Sequence, residues 1–223
     1  MTKRIFVIGN GPSLKPGDLD LIARSGFDSF GTNRIQLIYD KTKWRPTYWM
    51  IADRSKSTMH AADTDLHLHE GYPCYVRADI PRGAEAIMWA KEFPDTFIPF
   101  AECDHIDVLR NPANAWHFPR LCKCGGSLSC AIQQSVILGY DQIILLGCDG
   151  NIKANRNNHF DSHYVDVDVV SGPDDEKCIN RTLELAHRVA LDECRKRGIE
   201  LLSATRAGRH WGHRQVCLED YLT

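Results

Sequence analysis

Nowhere does this 223-residue chain offer the roughly twenty consecutive apolar residues that a membrane-spanning helix needs. Its one early apolar stretch, Ile5 to Ile8, is also shorter than the h-region of a secretory signal. Charge of a single sign is missing as well. Lys+Arg 27 against Asp+Glu 29 gives a formal net charge of −2, so the strongly basic balance of a dedicated nucleic-acid binder is absent. A local basic patch at Arg206, Arg209, His210, His213 and Arg214 stays open, with Trp211 able to stack on a base or ring. There is no internal repeat and no low-complexity tract.

Two familiar phosphate-binding signatures are incomplete. Gly9-Asn10-Gly11-Pro12-Ser13 lacks both the lysine of a P-loop and the third glycine of a dinucleotide fingerprint. Cysteine, by contrast, is plentiful at nine, and in a chain with no secretory signal these read as reduced thiols of a soluble cytoplasmic protein. Cys122, Cys124 and Cys130, with His117 nearby, match no standard zinc spacing. His67 and His69, and the pair Asp63 and Asp65, supply too few ligands to define a metal site.

Strand-like and helix-like segments alternate. Strands are expected at Arg4–Ile8, Phe27–Thr32, Tyr48–Ala52, Tyr75–Ala78, Thr96–Phe100, Gln142–Leu146 and Glu200–Ser203. Helical segments are expected from near Pro16 to Arg24, at Ile35–Tyr39, Gly83–Phe93 and Leu128–Leu138, and over Asp175–Arg197, where Leu183, Ala186, Val189, Ala190 and Cys194 recur at helical spacing. Ser127 reads as the N-cap of the Leu128–Leu138 helix. This order predicts an α/β, Rossmann-like, mostly parallel sheet with helices on both faces, in a single domain over 1–223. The polar stretch at about 151–174 is too long for a minimal connection and reads as a lid loop.

Ligands of such sheets bind beyond the carboxyl ends of the strands. The polar residues expected there are Asn10, Ser13, Asn33, Asp53, Asp149 and Asn151. Glycines at 9 and 11 allow a sharp turn and close approach, and the helix that follows offers unpaired N–H groups suited to a phosphate. Gly126-Ser127 before the next helix has the same physics. In the lid, His159 and His163 are candidate proton acceptors. Tyr164 is a candidate donor to a departing phosphate oxygen. Asp166-x-Asp168 superficially matches the acidic pair with which many sugar transferases hold a divalent cation, but two acidic residues two apart are common by chance and a solvated loop is the favoured reading.

Four segments carry a resemblance. They are Ile5-Phe-Val-Ile-Gly-Asn-Gly-Pro-Ser-Leu14, Phe30-Gly-Thr-Asn33, the unit Gly126-Ser-Leu-Ser-Cys-Ala-Ile-Gln133 with Leu138-Gly-Tyr-Asp-Gln-Ile-Ile-Leu-Leu-Gly-Cys-Asp149, and His159-Phe160 with Tyr164. Together they resemble the bacterial sialyltransferases of glycosyltransferase family forty-two and a wider group of bacterial and phage proteins, some related to archaeal 6-hydroxymethylpterin diphosphokinases. The resemblance implies a transferase that moves a sialic-acid-like sugar from a cytidine monophosphate (CMP) donor to a glycan or other hydroxyl acceptor, a nucleic acid included. Asn10, Gly11, Ser13 and Asn33 would hold the nucleotide, Gly126 and Ser127 would face the donor, and Gly147 and Asp149 the ribose or base. In these sialyltransferases lid tyrosines hold the phosphate and a histidine three residues after one of them is the base. Ser162-His163-Tyr164 resembles that segment, but Val167 stands at the base's position, so either His159 or His163 substitutes or the chemistry differs. A CMP sugar requires no cofactor and no metal. The alternatives are a diphosphokinase-like phosphotransferase, with Asp53 and Asp149 as magnesium candidates, and a nucleotide-binding module without catalysis. A homo-oligomer is compatible with each.

Overall fold

In a computed structural model, residues 2–53, 57–81, 84–103, 116–122, 126–154, 156–164 and 172–223 are described, without the side chains of 57–60. The strands are β1 (Arg4–Ile8), β2 (Asp28–Thr32), β3 (Tyr48–Ile51), β4 (Cys74–Arg77), β5 (Phe97–Glu102), β6 (Arg120–Leu121), β7 (Gln142–Leu146), β8 (Glu200–Ser203) and β9 (Arg214–Gln215). They form one sheet in the order β6-β5-β4-β3-β2-β1-β7-β8-β9, and each neighbouring pair is parallel. The expected Rossmann-like α/β architecture is therefore present. The order reverses at β1, which pairs with β2 on one side and β7 on the other.

The apolar runs of β1 and β7 are continuous because both faces of the sheet are covered. Ile5 and Val7, with Ile143 and Leu145, pack on one side beneath helix α4 (Ser127–Ile137) and helix α5 (Pro173–Lys196), through Cys130, Ala131, Ala186 and Ala190. Phe6 and Ile8, with Ile144 and Leu146, face the other side. There they meet α1 (Pro16–Ser25) through Leu19 and Ile22, a 3₁₀ helix (Ile35–Lys41) through Ile35 and Ile38, α2 (Ser57–His69) through Leu68, and α3 (Ala84–Glu92) through Trp89. Successive residues of a strand point to opposite faces, so one five-residue apolar run feeds two cores.

Several local expectations are corrected. Helix α2 is absent from the sequence reading, as are the short edge strands β6 and β9. Ser127 is the first residue of α4 and Gly126 occupies the cap position. The Ser127 hydroxyl turns away from the helix end, as described below. Helix α5 begins at Pro173, two residues before the expected start, and its buried face includes Asn180 and His187, whereas Val189 is only partly covered. The segment before α5 is described over 151–154 and 156–164 and has no regular element there. No helix among the described residues is long and apolar enough to cross a membrane, and all eight cysteines among them are free thiols. Cys122 and Cys130 belong to the core, and Cys124 lies outside the described residues.

Candidate functional site

The loops after β1 and β7 leave the sheet side by side at the point where strand order reverses, the place where open α/β sheets form a ligand crevice. Their glycines let them touch. The Gly9 N–H donates to the Leu146 carbonyl and the Gly11 N–H to the Gly147 carbonyl, each at 2.8 Å. A Cβ at Gly11 would stand 1.9 Å from Asp149 Oδ2, and one at Gly9 2.6 Å from the Gly147 oxygen. These two N–H groups are thus engaged within the protein, and the glycines serve the close approach of two strand ends. Ser13 completes the junction. Its hydroxyl donates to Asp149 Oδ2 at 2.8 Å and its N–H at 3.3 Å. Burial raises the Asp149 carboxyl above its ordinary range, and the hydrogen bonds from Ser13 hold it back.

A cleft opens over this junction. Its wall includes Gly9, Asn10, Gly11, Pro12, Asn33, Gly126, Ser127, Gly147, Asp149, Asn151, His159 and Tyr164, all expected from sequence. Ser13 stands behind the wall through its bond to Asp149. Asp53, at the end of β3, is not part of the wall, so the Asp53–Asp149 pair expected for a phosphotransferase is not assembled in it. His163 is not part of it either. Its side chain is 88% exposed, with Nδ1 3.2 Å from Asp161. Asp166 and Asp168 lie outside the described residues.

Hydrogen bonds hold the polar side chains of the cleft in place. The Asn10 amide donates to the Thr32 carbonyl and hydroxyl oxygens at 2.8 and 3.1 Å, and its own oxygen is buried without a partner. Asn33 adopts φ 47, a left-handed conformation that asparagine tolerates better than most residues. Its Oδ1 accepts the Ser127 hydroxyl at 2.5 Å, and Ser127 Oγ in turn accepts the Ala52 N–H at 2.7 Å. The Arg34 N–H donates to the Tyr164 hydroxyl at 3.4 Å. Burial pushes the Tyr164 hydroxyl well above its ordinary value, so it stays protonated. The His159 ring lies against Tyr164, and the Phe160 N–H donates to the Asn10 carbonyl at 3.0 Å, which ties this segment to the loop after β1.

Among the described residues, nine further residues of the wall were not expected in it from sequence, His187, Trp211 and Cys148 among them. His187 sits on the buried face of α5, with its Nδ1 2.8 Å from Nε2 of His213. Burial lowers His187 to about 3 and His213 to about 4, so both are neutral near pH 7. Trp211 lies 4.4 Å from His187, and its ring covers Gly150, where a Cβ would stand 1.9 Å from it. Of the candidate C-terminal basic patch, His213 is buried and neutral and Arg206 is paired with Asp18 at 2.6 Å. Cys148 also borders the cleft. Burial pushes its thiol up to about 12, which leaves it unreactive as a nucleophile. Away from the cleft, Asp63 pairs with Arg34, and His67 is enclosed by Trp49, Tyr39 and Tyr72.

No protein-family model and no curated protein sequence matches the chain. Two solved structures share its fold. The MAf glycosyltransferase from Magnetospirillum magneticum AMB-1 aligns over 98% of this chain with a TM-score of 0.61 at 12% identity. The match takes up 34% of that protein, so this chain spans about a third of its length. The sialyltransferase CstII from Campylobacter jejuni, solved in complex with the substrate analogue cytidine-5'-monophosphate, aligns over 96% of this chain and 84% of its own, with a TM-score of 0.51 at 15% identity.

Proposed function

We propose that this chain is a glycosyltransferase that moves a sialic-acid-like sugar from a CMP-sugar donor to a hydroxyl acceptor. The observation that carries the reading is the cleft at the β1–β7 switch point, which gathers Asn10, Asn33, Ser127, Asp149, His159 and Tyr164. It stands on a fold shared along nearly the whole chain with a sialyltransferase solved with CMP.

The nucleotide lies across the strand ends, with its hydroxyls or base against Asn10, Asp149 and Asn151. No lysine or arginine is present in the cleft wall among the described residues. The phosphate is therefore held by dipoles and hydrogen bonds. At the start of α4 the Ser129 N–H is taken by the Gly126 carbonyl at 3.1 Å, which leaves the N–H groups of Ser127 and Leu128 as the anion donors, and the cap residue Gly126 has no side chain to satisfy them. Because Gly9 and Gly11 have engaged theirs, this helix end is the better anion pole. Tyr164 supplies the other contact. Its oxygen already accepts from the Arg34 N–H, which leaves its own proton for a phosphate oxygen.

As the bond between the anomeric carbon and the phosphate oxygen breaks, its electron pair leaves with CMP and the sugar passes through an oxocarbenium-like state. The acceptor oxygen then bonds to the anomeric carbon, and His159 takes its proton. A single departing phosphate can be stabilised by these hydrogen bonds without a divalent cation. A nucleoside diphosphate donor would call for one, with Asp166 and Asp168 as its first candidate ligands.

A thermal-shift panel of cytidine, uridine, guanosine and adenosine nucleotides, with and without magnesium, tests the reading. A ligand at a hundred times its Kd stabilises the native state by about 2.7 kcal/mol. CMP is expected to raise the melting temperature without magnesium and above the other nucleotides. No shift with any cytidine nucleotide would sink the assignment.

A further inference from the structure

Arg34 follows Asn33 directly, and its contacts run to the lid and to α2. Its guanidinium Nη1 donates to the Tyr164 carbonyl at 2.8 Å and to the His163 carbonyl at 3.2 Å. Its Nε stands 3.2 Å from Asp63 Oδ2, with the two side chains only 16% and 12% exposed. Asp63 is held in turn by the Gln36 amide at 2.5 Å. Tyr164 is therefore gripped at both ends by one residue, at its hydroxyl by the Arg34 N–H at 3.4 Å and at its backbone by the Arg34 guanidinium. The positive φ of Asn33 turns the chain just before Arg34. A guanidinium suits this task because its planar fork presents donors on two sides at fixed angles. A second tie, Lys41 to Asp161 at 3.2 Å, involves a lysine side chain 49% exposed, and exposed pairs of this kind contribute little.

We propose that Arg34, braced by Asp63, is a positioning residue for sugar transfer: it fixes the Tyr164 backbone so that the tyrosine ring presents its hydroxyl, and the His159 stacked on it, to the cleft. Arg34 is not part of the cleft wall and touches no reacting atom, so it acts through Tyr164. The inference rests on the transferase reading and deepens it, because it makes the turn after β2 and helix α2 part of the apparatus that orders the lid.

The test compares the whole protein with the double variant Arg34→Met/Asp63→Asn and with Lys41→Met. The double variant removes the guanidinium without leaving the Asp63 charge facing the gap. Hydrogen exchange of the amides in 157–164 reads the latch without any donor, and turnover of CMP-N-acetylneuraminic acid reads its use. The expected result is at least a tenfold rise in exchange over 157–164 in the double variant, a melting temperature that still marks a folded protein, and at least a tenfold loss concentrated in kcat. Lys41→Met should leave exchange near that of the parent. Unchanged exchange in the double variant overturns the proposal whatever the turnover, and so does an equal rise in Lys41→Met. Raised exchange with full turnover instead refutes the roles given to Tyr164 and His159, and Arg34 then has nothing catalytic to position.

Discussion

The imidazole of His159 lies nearly flat on the phenol of Tyr164, with ring centroids 3.7 Å apart and planes 18° apart. Phe160 meets the same tyrosine edge-on at 6.1 Å, and Tyr164 itself is only 4% exposed. The buried tyrosine is thus a fixed platform, and the histidine on it belongs to the cleft wall. His163 hangs outside with its ring near Asp161.

This arrangement separates the two lid histidines. General-base catalysis contributes about a hundred- to ten-thousand-fold in rate. His159→Ala is expected to lower turnover by that factor while leaving CMP affinity nearly intact in calorimetry. His163→Ala is expected to change neither by more than a small factor. The reverse pattern would swap the assignment. Full turnover in both variants would remove the proposed base.

Much of this site was legible as a list of polar residues at strand ends, because β1 and β7 are short apolar runs that stop abruptly at glycine and β2 ends at Asn33. Their pairings were not legible. Ser13 and Asp149 stand 136 residues apart, and only the β1–β7 pairing makes them neighbours. His187 was hidden in the middle of a long amphipathic helix, where a buried histidine disturbs the apolar period only slightly. Helix α2 was hidden for a related reason. Its covered residues include Asp63, Thr64 and His67, so its buried side is polar and hydrophobic periodicity does not reveal it.

The junction between the two loops predicts a sharp contrast between glycines. Gly11→Ala places a methyl group 1.9 Å from Asp149 Oδ2 and 2.8 Å from the Gly147 oxygen. Overpacking of this kind typically costs about 1–3 kcal/mol. It also displaces the carboxylate assigned to the nucleotide. Gly17→Ala, in α1, meets nothing within 4 Å and exchanges a flexible residue for a good helix former. Gly11→Ala should melt several degrees lower and bind CMP more weakly, and Gly17→Ala should match or exceed the parent in both. Equal behaviour of the two variants would show that the contact between the loops is not rigid.

Metal dependence separates the donor classes. If the leaving group is CMP, its charge is met by the α4 N-terminus and Tyr164, and turnover should survive EDTA. Loss of turnover on chelation, restored by magnesium or manganese, would instead favour a nucleoside diphosphate donor or a phosphotransferase. Titration of the metal against variants of Asp53, Asp149, Asp166 and Asp168 would then identify the ligands.

Acid should destabilise this protein earlier than its carboxylates alone would dictate, and His67 offers a way to isolate the effect. His67 is fully buried, 4.5 Å from the Trp49 ring, and neither ring nitrogen has a hydrogen-bond partner. Burial lowers it to about 4, against an ordinary 6.5. His213 and His187 are lowered in the same way, to about 4 and about 3. Below pH 6.5 the unfolded chain binds protons that the folded one refuses. Stability from these groups is therefore complete above about pH 6.5 and is lost as pH falls toward 4. Each such histidine can contribute a slope of up to about 1.4 kcal/mol per pH unit. Denaturant melts at pH 7, 6 and 5 should show a steady fall in unfolding free energy. His67→Phe keeps a ring against Trp49, forfeits no hydrogen bond and removes one titrating group. It should be at least as stable as the parent at pH 7 and show a shallower slope between pH 6 and 5. A variant with the parent's slope would mean that His67 takes up its proton in the folded state as readily as in the unfolded one, and that the aromatic enclosure does not exclude the charge.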